Sequence, residues 1–305
     1  MSGCRPSKRR SARPQRGGGG TRAAKAPEDS KPPPSEEKPP EAAIKIHPDA
    51  QSYMLPFAPG LSLEELMLAP EVAAAAGEIL QDARAAARLK QYGFKPARTL
   101  LMYGPPGNGK TSLAVALARA LKLPGVLLRA GGMKDMHVGN SEKNLIGAFA
   151  VAMAQPCVLF MDEADSLLSA RTAVRHSADK AANDLLNTIL TTLDRCPEHV
   201  YVFAATNLPD NLDPAALRRF ELHIELPLPE AAALQAWYER FVAARCAEWP
   251  PSLDPAEVGR AAASRGESYA TFEQRCVRAL RGHVRDLPAS DLDARLRAAL
   301  LGDFR

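Results

Sequence analysis

The sequence predicts an α/β protein: a parallel sheet of five strands with helices on both faces, followed by a small all-helical segment. Three observations lead there. Gly104-Pro105-Pro106-Gly107-Asn108-Gly109-Lys110-Thr111 fits G-x-x-x-x-G-K-[ST], the spacing of a phosphate-binding loop. Short apolar runs alternate with helical patterns between residues 98 and 226, as expected of parallel strands joined by crossover helices. From Pro229 onward no strand pattern remains.

Residues 1–40 contain Gly17 to Gly20, Pro32 to Pro34 and Pro39-Pro40, with almost no large apolar side chain. Such a segment cannot bury enough surface to offset its ordering entropy, so a disordered tail is expected. It holds ten Lys/Arg against four Asp/Glu, whereas the rest of the chain holds 29 against 31. The net charge of +4 therefore belongs to the tail, and the remainder is nearly neutral. A basic, acid-free start can contact nucleic acid or an acidic surface. The plainer alternative is a solvated tail without a specific partner. A transit peptide would need an apolar helix face that the tail lacks.

Residues 41–61, with Pro48, Pro56 and Pro59, read as an extended linker. Leu63, Leu66, Met67 and the alanine-rich run to Lys90 suggest helices interrupted near Pro70 and Gly77. The first strand is Arg98 to Tyr103, leading into the glycine loop, and Ser112 to Leu121 follows as a helix. Val126 to Ala130 is the second strand. Ser141 to Ala154 is a helix opened by Ser141 and Glu142. Cys157 to Met161 is a continuous apolar run, the mark of a strand buried on both faces. Asp179 to Leu193 is helical, Val200 to Ala205 is the fourth strand, and Leu222 to Leu226 the fifth. Glu230 to Glu248, Pro255 to Ala263, Tyr269 to Arg281 and Ser290 to Leu301 read as four helices. The expected domains are an α/β domain over 62–228 and a helical one over 229–305.

The loop sets the chemistry. Its glycines let the backbone approach phosphate closely, and the following helix adds its positive end. Lys110 can reach the outer phosphates and the Thr111 hydroxyl can hold Mg²⁺. Asp162-Glu163 follow a buried apolar strand directly, a costly place for two acids without a task. Ligands of open α/β sheets sit at the carboxyl ends of strands, which puts Asp162 near Thr111 and the metal. Glu163 is then suited to polarise an attacking water. Asn207, after the next strand, can hold that water in line. Arg218 and Arg219 either make surface ion pairs or stabilise phosphoryl charge in a neighbouring subunit's site.

Together these pieces resemble the AAA family of P-loop ATPases over roughly residues 60–285. Gly104–Thr111 looks like Walker A, Val158 to Asp165 like Walker B, Ala204–Asn207 like sensor 1, and Asn207 through Pro229 like the second region of homology. The chain looks most like the small stand-alone bacterial members. The resemblance implies a parallel five-stranded domain, a four-helix lid and a ring, usually of six subunits, with ATP at each interface. In cis it implies nucleotide contacts from Pro106, Gly107, Asn108, Gly109, Lys110, Thr111, Ser112 and Asp162. Thr111 and Asp162 would hold Mg²⁺, and Glu163 and Asn207 would act in catalysis. Arg218 and Arg219 are implied as fingers in trans, Arg219 matching the Arg-Phe pair best. Gly93 matches the loop that cups adenine, and Gly266-Glu267-Ser268-Tyr269-Ala270 the lid turn over the base. Asn108 replaces the family's usual Thr and is expected to matter little. His137 in Met136-His137-Val138-Gly139 replaces the aromatic of the central pore loop. Ser169 to Asp179, with Arg171, Arg175 and His176, is a second candidate pore segment.

The expected function is Mg²⁺-dependent ATP hydrolysis that remodels or unfolds a protein client. The alternatives are a nucleic-acid-associated ATPase of clamp-loader or transposition-helper type, and a nucleotide-binding scaffold without turnover. There is no run of eighteen apolar residues, so no membrane partner is expected. Five scattered cysteines without C-x-x-C, and scattered histidines, point to reduced thiols, no zinc site and a cytoplasmic setting.

Overall fold

The computed structural model describes residues 44–302, apart from 45, 47–49, 52, 59, 130–139, 172–176 and 288–290 and the side chains of 140–142 and 177–179. The 1–40 tail, the His137 step, and Arg175 and His176 lie outside the described residues.

Strands β2 (Thr99–Tyr103), β3 (Gly125–Arg129), β4 (Cys157–Asp162), β5 (Val200–Thr206) and β6 (Leu222–Glu225) are parallel. Their order is β3-β4-β5-β2-β6, and a sixth strand, β1 (Met54–Pro56), adds antiparallel to β3 at the edge. Every residue of β5 is buried, and in β4 only Asp162 escapes burial. Alternate residues serve opposite faces, as the strand period of two requires. Leu101, Val126, Leu128, Leu159, Met161, Val202 and Ala204 pack with Leu145, Phe149, Leu186 and Ile189. Leu100, Met102, Val158, Phe160, Phe203 and Ala205 pack with Val72, Ile79, Leu113 and Leu117. The first helix set comprises α3 (Asn140–Met153), the short α4 (Asp165–Leu168) and α5 (Ser177–Asp194), the second α1 (Pro70–Gln91) and α2 (Lys110–Ala120).

Two expectations need correction. Residues 54–56 are not linker but an edge strand, and the chain before them is seated in the core through Ile44, Ala50 and Tyr53. Phe57 fixes this edge: its ring occupies the space beside Gly125, where a Cβ would lie 2.1 Å from Phe57 Cδ2, and stands edge-on to Phe160. The second correction concerns α1, which runs unbroken through Gly77 and begins only at Pro70. A glycine costs about 1 kcal/mol in a helix interior. Burial of Val72, Ala76 and Ile79 on the sheet outweighs that.

After β6 the chain is helical: α7 (Ala231–Arg245), α8 (Pro255–Ser264), α9 (Tyr269–Arg285) and α10 (Leu292–Leu300). Asp254, Ser268 and Asp291 cap the last three by accepting from backbone N–H groups in their first turns. These helices share an apolar cluster that includes Leu234, Tyr238, Val258, Phe272, Cys276 and Leu296. Burial pushes the Cys276 thiol up to about 12, so it packs as a protonated small hydrophobe. Gly259 lets α8 meet α7: a Cβ there would stand 2.4 Å from Ala231 O and 2.9 Å from Gln235 N. Gly259→Val should therefore destabilise these helices by about 2 kcal/mol. Thermal melting followed at Trp237 and Trp249 checks this, and an unchanged midpoint would show that the contact yields without cost.

Candidate active site

The register of the sheet brings three strand ends level. Tyr103 pairs with Thr206, and Met161 with Ala204, so the chain leaves β2, β4 and β5 at one edge. The glycine loop emerges from β2 there. Gly104, Gly107 and Gly109 all have positive φ, and Gly109 is the N-cap of α2. Pro106 and Gly107 are exposed on the loop, Asn108 and Lys110 are buried, and Thr111 and Ser112 are exposed in the first turn of α2.

Lys110 Nζ donates to Gly104 O at 2.8 Å and to Pro105 O at 2.9 Å. Burial pulls its ammonium below the ordinary lysine value, and the Asp162 carboxylate opposes that shift. Thr111 Oγ1 donates to Asp162 Oδ2 at 3.1 Å, so the hydroxyl and the carboxylate share one spot as their spacing in the sequence suggested. Asp162 Oδ1 accepts from the Glu163 backbone N–H at 3.0 Å.

Glu163 has φ +52°, a left-handed backbone that a residue with a Cβ seldom adopts. The turn around it is over-determined. Ser166 donates to Glu163 O through its N–H at 3.0 Å and its hydroxyl at 2.8 Å. Ala164 N donates to Ala205 O at 2.8 Å. Strained backbone held this firmly is a mark of functional sites. The side chain of Glu163 is exposed.

Asn207 is exposed just beyond β5. The sequence reading missed Thr206 and Asp165, which join the two strand-end loops. Buried Thr206 donates its hydroxyl to Asp165 Oδ1 at 2.7 Å and accepts from Leu208 N at 2.9 Å. Asp165 was visible as the third acid of Asp162-Glu163-Ala164-Asp165, but its partner lies 41 residues away.

The chain then caps α6 (Pro214–Leu217) with Asp213, whose Oδ1 accepts from Ala215 N at 2.8 Å. Arg171 Nε lies 3.7 Å from the other oxygen of Asp213. The paired arginines differ in setting. Arg219 is clasped inside its own chain: Nε and Nη2 meet Asp194 at 2.9 and 2.8 Å, and Nη1 donates to Ala215 O. Arg218 is exposed and has no side-chain partner among the described residues. Gly93, with φ +80°, ends α1 on the surface beside exposed Tyr92 and Phe94.

The C-terminal helices touch the loop directly. Ala270 N donates to Gly107 O at 3.1 Å, and a Cβ on Gly107 would stand 2.6 Å from Ser268 Oγ. Behind this turn Glu267 is buried, with Oε1 accepting from Arg265 and Arg275.

Thr206→Val removes both ties at the head of β5 and should cost about 1–2 kcal/mol of stability, with Thr206→Ser close to the parent. Urea titration reads the difference, and equal midpoints for all three proteins would mean that the hydroxyl joins nothing.

Residues 100–228 match the family described as ATPase family associated with various cellular activities (AAA). An uncharacterized AAA family ATPase of Sinorhizobium fredii, y4kL, is 32% identical over 206 residues, 68% of this chain and 60% of that protein. Spastins of Drosophila mojavensis and Drosophila melanogaster are each 39% identical over 153 residues, 48% of this chain and 20% of theirs. The chain spans less than two thirds of the length of each of these relatives. The match covers the parallel strands, the glycine loop and the strand-end acids just described, and by it the chain carries a domain of the AAA family of ATPases.

Proposed function

We propose that the chain binds ATP in the 104–111 loop, hydrolyses it to ADP and phosphate, and uses the cycle to remodel a protein partner as a ring. The observation that carries this reading is the Thr111–Asp162 contact at the foot of the loop, with Lys110 beside it. A hydroxyl and one carboxylate suit Mg²⁺, which keeps several waters and takes its other ligands from phosphate. No group of three His, Cys, Asp or Glu converges among the described residues, so this is not an all-protein metal cage. When bound there by Thr111 and Asp162, Mg²⁺ would neutralise charge on the outer phosphates.

The chain's own groups supply the rest. Backbone N–H groups of Gly107, Gly109, Lys110 and Thr111 wrap the phosphates, and Lys110 adds a positive charge. Exposed Glu163 accepts a proton from the attacking water, and Asn207 orients that water. The exposed edge at Gly93 is the place for the base. Arg218, presented to solvent, is the better placed of the two arginines to reach the triphosphate of a second copy. Arg219, clasped by Asp194, holds the turn that presents it. This reverses the sequence-based preference for Arg219, and it is the reason the reading includes a ring, by the family's precedent one of six subunits.

Among the described residues no helix is long and apolar enough to cross a membrane. A protein client in the cytoplasm fits a nearly neutral folded part, which offers no broad basic footprint for DNA. The basic tail leaves a nucleic-acid partner as the competing outcome.

Glu163→Gln should bind ATP within about threefold of the parent and lose at least about 100-fold in turnover, the scale of a general base. Nucleotide titration and phosphate release measure the two separately. With ATP, the variant should retain unfolded protein and not DNA. Parental turnover would remove Glu163 from its role, and DNA stimulation surviving deletion of residues 1–40 would replace the protein client with nucleic acid.

A further inference from the structure

Asn108 is 6% exposed, and its carboxamide is turned away from the mouth of the loop. Nδ2 donates to Pro227 O at 3.0 Å and, at the long end of the range, to Leu226 O at 3.4 Å. Two carbonyls face the carboxamide, so the NH₂ end is the one that must meet them. Both carbonyls belong to residues 226–230, the crossover between β6 and the C-terminal helices. The start of the loop rests on the same crossover. A Cβ on Gly104 would stand 2.3 Å from Leu226 O, and Leu226 N donates to Tyr103 O at 2.8 Å. At the other side of the loop, Ala270 N reaches Gly107 O. The five residues Gly104 to Asn108 thus bridge the crossover and the first turn of α9.

We propose that Asn108 is a positioning residue that couples phosphate binding in the loop to the setting of the C-terminal helices. The proposal rests on reading the loop as the nucleotide site. The same Lys110 that would take a phosphate oxygen is bonded to Gly104 O and Pro105 O. Two of the three N–H groups of the ammonium are used by those carbonyls, and a phosphate that takes the third draws Nζ toward itself, so the carbonyls it holds pass that pull to the backbone of the loop. Any shift of Gly104 to Asn108 meets the crossover at two points. At Gly104 the meeting is a close approach that resists only compression. At Asn108 it is a buried hydrogen bond, which also resists pulling apart. The remaining link, Ala270 N to Gly107 O, is a single backbone bond that helix α9 can keep while the crossover moves. Threonine at this position carries its hydroxyl one bond closer to the backbone and falls short of Pro227 O, so it should transmit less.

The test uses the full chain with ATP or ADP and Mg²⁺. It reads nucleotide affinity by titration, and hydrogen exchange at residues 226–230 and 268–272 with and without nucleotide. In the parent, ATP should change exchange in both segments. Compared at saturating ATP, with the affinity of each protein measured beside it, Asn108→Ala should lose at least half of the ATP-induced change at 226–230 and keep the change at 268–272. Asn108→Thr should fall between the two. A melting midpoint close to the parental one separates this from general loosening. The proposal is overturned if Asn108→Ala keeps the full change. It is also overturned if both variants lose ATP binding and coupling in parallel or fail to fold, since Asn108 would then only hold the loop together. If the parent itself binds no ATP, the nucleotide reading of the loop falls first. If the parent binds and responds and Asn108→Ala responds alike, only the coupling role falls.

Discussion

The backbone of Gly104 lies so close to the Leu226 carbonyl that no side chain fits between them. That approach depends on β2 pairing with β6, since Leu226 N bonds Tyr103 O in the step just before the loop opens. From there the loop's path, the burial of Asn108 and the contact of Gly107 with Ser268 and Ala270 all follow. The loop is therefore not a free strand-to-helix connection. It is pressed between the end of the sheet and the helices that follow it, and each of its glycines at positive φ answers to a neighbour or to a turn.

Charge at the strand ends is handled in the same local way. Asp162 takes the Thr111 hydroxyl on one oxygen and a backbone N–H on the other. Asp165 takes the Thr206 hydroxyl. Between them Glu163 is left exposed on a left-handed residue that Ser166 and the Ala164–Ala205 bond hold in place. Two of the three carboxylates thus accept hydrogen bonds from within the chain. The third is presented outward, which is the arrangement expected when one acid must meet a reactant.

The sequence made the parallel strands plain because Cys157–Met161 and Val200–Ala205 are buried on both faces and so read as unbroken apolar runs. The glycine loop was legible because its chemistry is local. Strand β1 was not: three residues ending in proline carry no period, and their place is set by backbone pairing to β3 and by a ring seated on Gly125. The uninterrupted α1 was hidden because propensity marks Gly77 and cannot see the core under Val72, Ala76 and Ile79. The same limit explains the polar links. Asn108 bonds carbonyls 118 and 119 residues away, and Arg219 an acid 25 residues away. A motif shows which residues face a ligand and is silent on which of them face the protein.

The two arginines decide whether the site belongs to one chain or two. Asp194 occupies Arg219, while Arg218 projects into solvent at the edge of the crossover from β5 to β6. The most direct test is to mix two inactive variants, Lys110→Ala, which should not hold nucleotide, and Arg218→Ala, which holds it but lacks the guanidinium. If the site is shared, phosphate release returns on mixing, because the loop of one variant meets the Arg218 of the other. A mixture as inactive as its components, with the parent turning over normally and both variants still assembling, would contradict a site completed by a neighbour.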